Sequence, residues 1–425
     1  MFRRKNKAGR NLADIEFPHD LKELGFFINE KDQLRQIENP DEGFDYFAHG
    51  RHHGYMYAAN GGHGVPRERL NERRREAVDA CLRGIVITRL EGLGLTKLLL
   101  PFGASVEEPH VPIMVSQNLQ TCSKVLVLSP DSNSGGLGIW CMRSIEEGAL
   151  NGGSMIDAVK HALEFGYGVV IMNSGQLLWD YTTKTPMGFG TWRATKDKKI
   201  PINALKNTVP SHKNPEEHVG YVFRHVLDKI VPSHAEIDII ACGMVAYTVV
   251  AFLNNNCGFY FQFYVTMREG RVIVEHNADY RFAGDDWKDR IFALVMAESA
   301  HCLPNITNIE LQQFLMQRAR NYIVHSKPRE SVILDPRFGC ATFSSSATWP
   351  SAIIPACLDL FMDYLNKAHA DPENCNPDVP VIVGDVPDHE EWLNAMKSVD
   401  KNPELHVLDT DSYSEIDKEE AAAEA

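Results

Sequence analysis

The sequence predicts an α/β fold: a mostly parallel sheet with helices on both faces, arranged like that of an α/β hydrolase. Two observations carry that class. Short runs of consecutive apolar residues, the pattern of strands buried on both faces, alternate with amphipathic segments of helical period. The second is "EIDIIACGMVAYTVVAFL", Glu236 to Leu253, where a buried strand enters an apolar helix through a tight turn. A hydrolase mounts its nucleophilic serine on such a turn, and this one has no serine.

The elements follow in order. "MFRRKNKAGR" is basic without the apolar stretch of a secretory signal, so residues 1–14 read as a flexible end. Ile15 to Phe47 mixes short apolar clusters with turn signals, and a Gly/His-rich loop follows. Its His49, His52, His53 and His63 match no ligand spacing, so no metal site is expected there. A charged amphipathic helix runs from Pro66 to about Leu90, and its Arg67, Arg69, Arg73, Arg74 and Arg75 read as a solvated face.

"KVLVLSP" (Lys124 to Pro130) is the first core strand by this pattern, and the glycine-rich "SPDSNSGGLG" follows it. That loop has glycines to present backbone N–H groups, but neither phosphate-binding fingerprint occurs in it. "SMIDAVKHALEFG" is a helix closed by Gly166, and "YGVVIMN" is the next strand. "NPEEHVGYVFRHVLDKIV" opens a helix with Asn214 as N-cap, Pro215 at the first position and Glu217 three residues past the cap. After the Glu236 strand and its helix, Phe259 to Phe282 alternates around "REGR" and reads as a β-hairpin inserted at about 257–284. "DRIFALVMAE" is the strand after it. One domain is expected over 15–369, followed by a linker, a short helix and an acidic, disordered tail over 370–425.

Composition narrows the function. With a formal charge of −14 and no basic stripe interleaved with aromatics, direct nucleic-acid binding is not expected. No apolar run reaches the roughly 18 residues of a membrane span. Nine cysteines without a C-x-x-C pair, several inside apolar runs, point to a reducing compartment, nucleus or cytoplasm, and away from zinc. No cofactor is expected.

The best elbow register centres on Gly243, with Ala241 and Val245 two residues to either side. Glycine takes the positive φ of such a turn at little cost, while the nucleophile is absent. Shifting by one residue centres Cys242, but Ile240 and Met244 are bulky for so tight a turn. Glu298, with His301 behind it, stands at the end of the Ile291 strand, where an acid belongs. "GCATFSSSATWPSAIIP", at the expected place of the catalytic histidine, has serines and no histidine. The fallback apparatus is Cys242 as nucleophile with His325 and Glu298.

In this order, "FPHDLKELGFFINEKDQLRQI", "KVLVLSP" with its glycine loop, "ALEFGYGVVIMN", "NPEEHVGYVFRHVL", "IIACGMVAY", "FALVMAESAH" and "NYIVHSKP" resemble the Argonaute-binding protein two (Arb2) domain family, over roughly Ile15 to Asn366. The resemblance implies an α/β-hydrolase-like fold. Some members carry a serine elbow of the form H-S-Y-G-G, whose serine falls on Gly243 here. The acid of their D-S-V-H segment falls on Glu298, and their later histidine falls near Ser344. It also implies protein partners, an Argonaute or a histone deacetylase among them. The expected function is thus a noncatalytic pseudo-hydrolase that works by interaction in small-RNA-guided silencing, heterochromatin assembly or cotranscriptional regulation. The alternatives are a hydrolase with the displaced Cys242, His325 and Glu298, and a pseudoenzyme that holds a small ligand.

Overall fold

The computed structural model describes residues 16–51, 55–56, 65–195, 204–256, 263–268, 271–276, 287–335 and 337–376. Alternation along single strands shows how the sheet is covered. In β3 (Lys124–Ser129), Val125 and Val127 enter one apolar core while Leu126 and Leu128 enter another. A strand buried on both sides has no polar face to show, hence its unbroken apolar run.

Eight strands form the sheet: β1 (Leu95–Leu100), β2 (Val111–Ser116), β3, β4 (Gly168–Ile171), β5 (Glu236–Cys242), β6 (Ile291–Ala297), β7 (Ala319–Ile323) and β8 (Ala341–Ser344). Their spatial order is β1-β2-β4-β3-β5-β6-β7-β8. β2 runs antiparallel to both of its neighbours, and the other pairings are parallel. This is the strand order of an α/β hydrolase. β1 and β2 precede the strand that the sequence marks as first; β1 ("LTKLLL") lies at the sheet edge with Thr96 and Lys97 exposed, which blurs its apolar run.

Helices cover both faces. α1 (Arg67–Gly92), α2 (Ile156–Glu164) and α6 (Ile353–Ala370) build one core with Leu82, Val86, Val159 and Phe361. α3 (Pro215–Tyr221), α4 (Gly243–Asn256) and α5 (Ile309–Arg318) build the other with Val219, Val249 and Leu315. Asn214 caps α3, accepting the Glu217 N–H at 2.8 Å, and the helix widens into a π turn over Val222–Leu227.

The inserted ribbon pairs Phe263–Arg268 with Arg271–His276 antiparallel. Residues 371–376 do not read as a linker in the structure. Cys375 is buried, Arg320 of β7 donates to Cys375 O and Asn376 Oδ1 at 2.9 Å, and its guanidinium lies 4.1 Å from the Tyr364 ring centre. The sequence signal there was only a run of turn formers, which says nothing of a buried arginine seeking partners.

The arginine run on α1 is not a simple wet face. Arg74 lies over the rings of Phe26 and Phe44, and Arg75 binds both oxygens of buried Glu146. The chain divides into two units, Met1–Ile382 and Val383–Ala425. The second unit lies outside the described residues, as do residues 1–14, the predicted short helix and acidic tail, and His52, His53 and His63.

Candidate functional site

Parallel α/β sheets place their chemistry at the carboxyl ends of the strands. There, β5 ends at Cys242 and α4 begins at Gly243 without a linker. Gly243 has φ of +54°, the left-handed conformation of an elbow's central residue. Ala241 and Val245 are fully buried, as the close contact of helix and strand demands. The turn at Gly243 is therefore left-handed and tightly packed between strand and helix.

The space above the turn is taken. A Cβ at residue 243 would lie 2.1 Å from Asp131 Oδ2 and 2.9 Å from its Cγ, inside any permitted contact. Asp131 comes from the loop after β3, beside β5 in the sheet. Its carboxylate stands where a nucleophile's side chain would project, and Ser132 Oγ donates to it at 3.1 Å. Sequence reasoning passed over Asp131 as one more polar residue in a turn. The signal was the glycine itself, since a missing side chain at an elbow leaves room for a neighbour's.

Cys242 is poorly placed to be a nucleophile. Burial first, and then the Asp131 carboxylate, push its thiol well above the usual range, the reverse of activation. Among the described residues no hydrogen bond joins it to His325 or Glu298. His325 Nδ1 accepts the Lys327 N–H at 3.0 Å, a local turn contact.

Glu298 follows β6 directly, with φ of +51°. Its Oε2 accepts the Val324 N–H at 2.7 Å, and its own N–H donates to Tyr322 O at 2.8 Å, so the acid position is tied to the end of β7. Burial raises its pKa, with the Val324 bond and Arg337 opposing. At the expected histidine position, Ser344 Oγ donates to Lys327 O at 2.7 Å and Ser345 Oγ donates to Ile323 O at 2.8 Å. The hydroxyls close this loop onto β7.

A serine–histidine pair does exist nearby. Ser299 Oγ lies 2.8 Å from His301 Nδ1, and His301 Nε2 lies 2.8 Å from Phe338 O. A carbonyl only accepts, so Nε2 carries the proton and Ser299 donates to Nδ1. Both residues are buried, and burial holds the imidazole down at about 4. The pair fastens the segment after β6 to the loop before β8. Among the described residues no group of three His, Cys, Asp or Glu could hold a metal ion, and no helix is long and apolar enough to cross a membrane.

Comparison with known proteins places these observations. The sequence profile of the Arb2 domain matches residues 17–260 and 274–329, most of the chain, with the gap over the inserted ribbon. A cotranscriptional regulator ARB2A homolog from Xenopus tropicalis is 30% identical over 164 residues, covering 38% of this chain and 35% of that protein. The cotranscriptional regulator ARB2A of Homo sapiens is 28% identical over 164 residues, covering 38% and 36%. The chain thus spans about a third of the length of these curated relatives. Among solved structures, a histone deacetylase from Saccharomyces cerevisiae matches 66% of this chain and 95% of that one, with 14% identity and a TM-score of 0.37.

Proposed function

The chain belongs to the Arb2 domain family, and from that premise we propose that it is a noncatalytic interaction protein, a pseudo-hydrolase whose fold serves partner binding. One observation carries the reading: the Asp131 carboxylate stands 2.1 Å from where a Cβ on Gly243 would be, so the nucleophile's space holds a neighbour's side chain. The raised thiol of Cys242 and the hydroxyls in the histidine's place support the same conclusion. The names of the curated relatives support a regulatory role close to transcription, and with it a nuclear place of action. Small-RNA-guided silencing and heterochromatin assembly are settings in which such a role operates. An Argonaute or a histone deacetylase is the partner class to test first.

Two measurements test the proposal. Purified protein is expected to hydrolyse p-nitrophenyl acetate and butyrate no faster than a Cys242→Ala, Glu298→Gln double variant. Turnover that this double change abolishes would overturn the noncatalytic reading in favour of a displaced Cys242, His325 and Glu298 apparatus. Affinity purification from native cells is expected to enrich a silencing or transcription factor. Recovery of metabolic enzymes alone would count against the partner assignment.

A further inference from the structure

Beside the elbow, and outside it, lies a cavity of about 240 Å3. α1 forms one wall with Glu72, Arg75, Glu76, Asp79 and Arg83. The Gly135–Gly136 turn and the segment around Phe189 form the others, and none of Cys242, Gly243 or Glu298 lines it.

Its two guanidinium groups are already engaged. Arg75 donates from Nε and Nη2 to the two oxygens of Glu146, each at 2.9 Å. Arg83 pairs with Glu76 and donates from Nη1 to Gly135 O at 3.2 Å. Asp79 is the exception. It is 8% exposed, its Oδ2 stands 3.8 Å from Arg75 Nε, and among the described residues its buried Oδ1 has no hydrogen bond. Buried polar atoms in native proteins are nearly always paired, so an orphaned carboxyl oxygen in a cavity wall asks for a partner that enters the cavity.

The charges decide what that partner is. Asp79 faces Arg75, Glu76 and Arg83 on its own helix and Glu146 on the Met142–Glu147 helix. An anion would meet these carboxylates with both arginines taken. An apolar group would leave Oδ1 unpaired. We propose that the cavity receives a guanidinium or primary ammonium group, with Asp79 as its carboxylate partner and the Phe189 ring, 58% exposed, as an aromatic wall. Its volume suits one long basic side chain or a small amine.

Burial, reinforced by Glu146, raises the Asp79 carboxyl, and a cation beside it favours the ionised form, so binding tightens as pH rises. This inference goes beyond the noncatalytic reading and does not rest on it, because the elbow residues line no part of the cavity.

Isothermal titration of the full chain tests it with three probes: agmatine, an acetylated Gly-Arg-Gly amide, and the same tripeptide with citrulline for arginine. Saturable binding of a cationic probe is expected. Asp79→Asn should weaken it by roughly tenfold or more. Tripeptide binding without agmatine binding assigns a partner's side chain; agmatine binding as tight or tighter assigns a free amine. The proposal is overturned if neither cation saturates, if citrulline matches arginine, or if folded Asp79→Asn binds as the wild type does. Should that variant not fold, the arginine and citrulline tripeptides on the wild-type chain decide alone, and equal binding of the two sinks the proposal.

Discussion

Two aspartates, one at the elbow and one in the neighbouring cavity, are held in opposite ways. Asp131 packs into the space above Gly243, within bonding distance of a side chain that is not there. Asp79, on α1, lines an open cavity with one oxygen unpaired. The first shows the space above a left-handed turn filled by a neighbour's side chain. The second shows a polar wall whose hydrogen bonding is incomplete among the described residues. Elbow and cavity are thus separate features of one fold, and each can be disturbed without the other.

The largest expected effect breaks the closed region. Gly243→Val meets left-handed backbone strain of about 1–2 kcal/mol and overlap with Asp131 of similar size, a loss of about 3 kcal/mol in urea unfolding. Adding Asp131→Gly should recover the overlap but not the strain, giving a coupling of about 1 kcal/mol or more. Purely additive losses would mean that Asp131 does not fill the elbow.

Next comes acid. His301 in the fold titrates at about 4 against an ordinary 6.5, so its neutral form contributes stability above 6.5 that is lost as pH falls towards 4. That loss is on the order of 2–3 kcal/mol. His301→Gln should flatten the stability profile in that window, and an unchanged profile would show that the buried pair with Ser299 does not govern it.

A smaller effect of opposite sign separates Asp79. Its raised folded pKa means that the stability from its protonated form is fully present below the ordinary 3.8 and lost as pH rises through the folded value. Asp79→Asn, uncharged throughout, should stabilise the chain by about 1 kcal/mol at neutral pH, with the margin shrinking as pH falls towards 3.8. Destabilisation in thermal melts would assign Asp79 a structural bond instead. The mildest test is kinetic: iodoacetamide should label Cys242 slowly, and Asp131→Asn should accelerate it by removing the nearby charge.

These contrasts follow the limits of the sequence. The alternation of buried strands with helices and the left-handed strand-to-helix turn were legible because both are written in local pattern: unbroken apolar runs, Asn214 at its cap, Gly243 between Ala241 and Val245. Glu298 was legible as a position, from the end of an apolar strand. Asp131 was not, because its meaning lies in a contact between adjacent strands far apart in the chain. Nor was the cavity, since Arg75 read as part of a solvated face while it binds Glu146, and the Arg83–Glu76 pair carries no sequence signal of its own. β1 and β2 escaped notice because edge exposure interrupts one and β2 ("VPIMVS") carries a proline.

The Gly243–Asp131 contact also sets what residue 243 can be. A side chain at 243 and the present position of the Asp131 carboxylate exclude one another, so serine there requires Asp131 to turn away or to shrink. The two positions are therefore coupled across adjacent strands: what can stand at 243 depends on where the Asp131 carboxylate points.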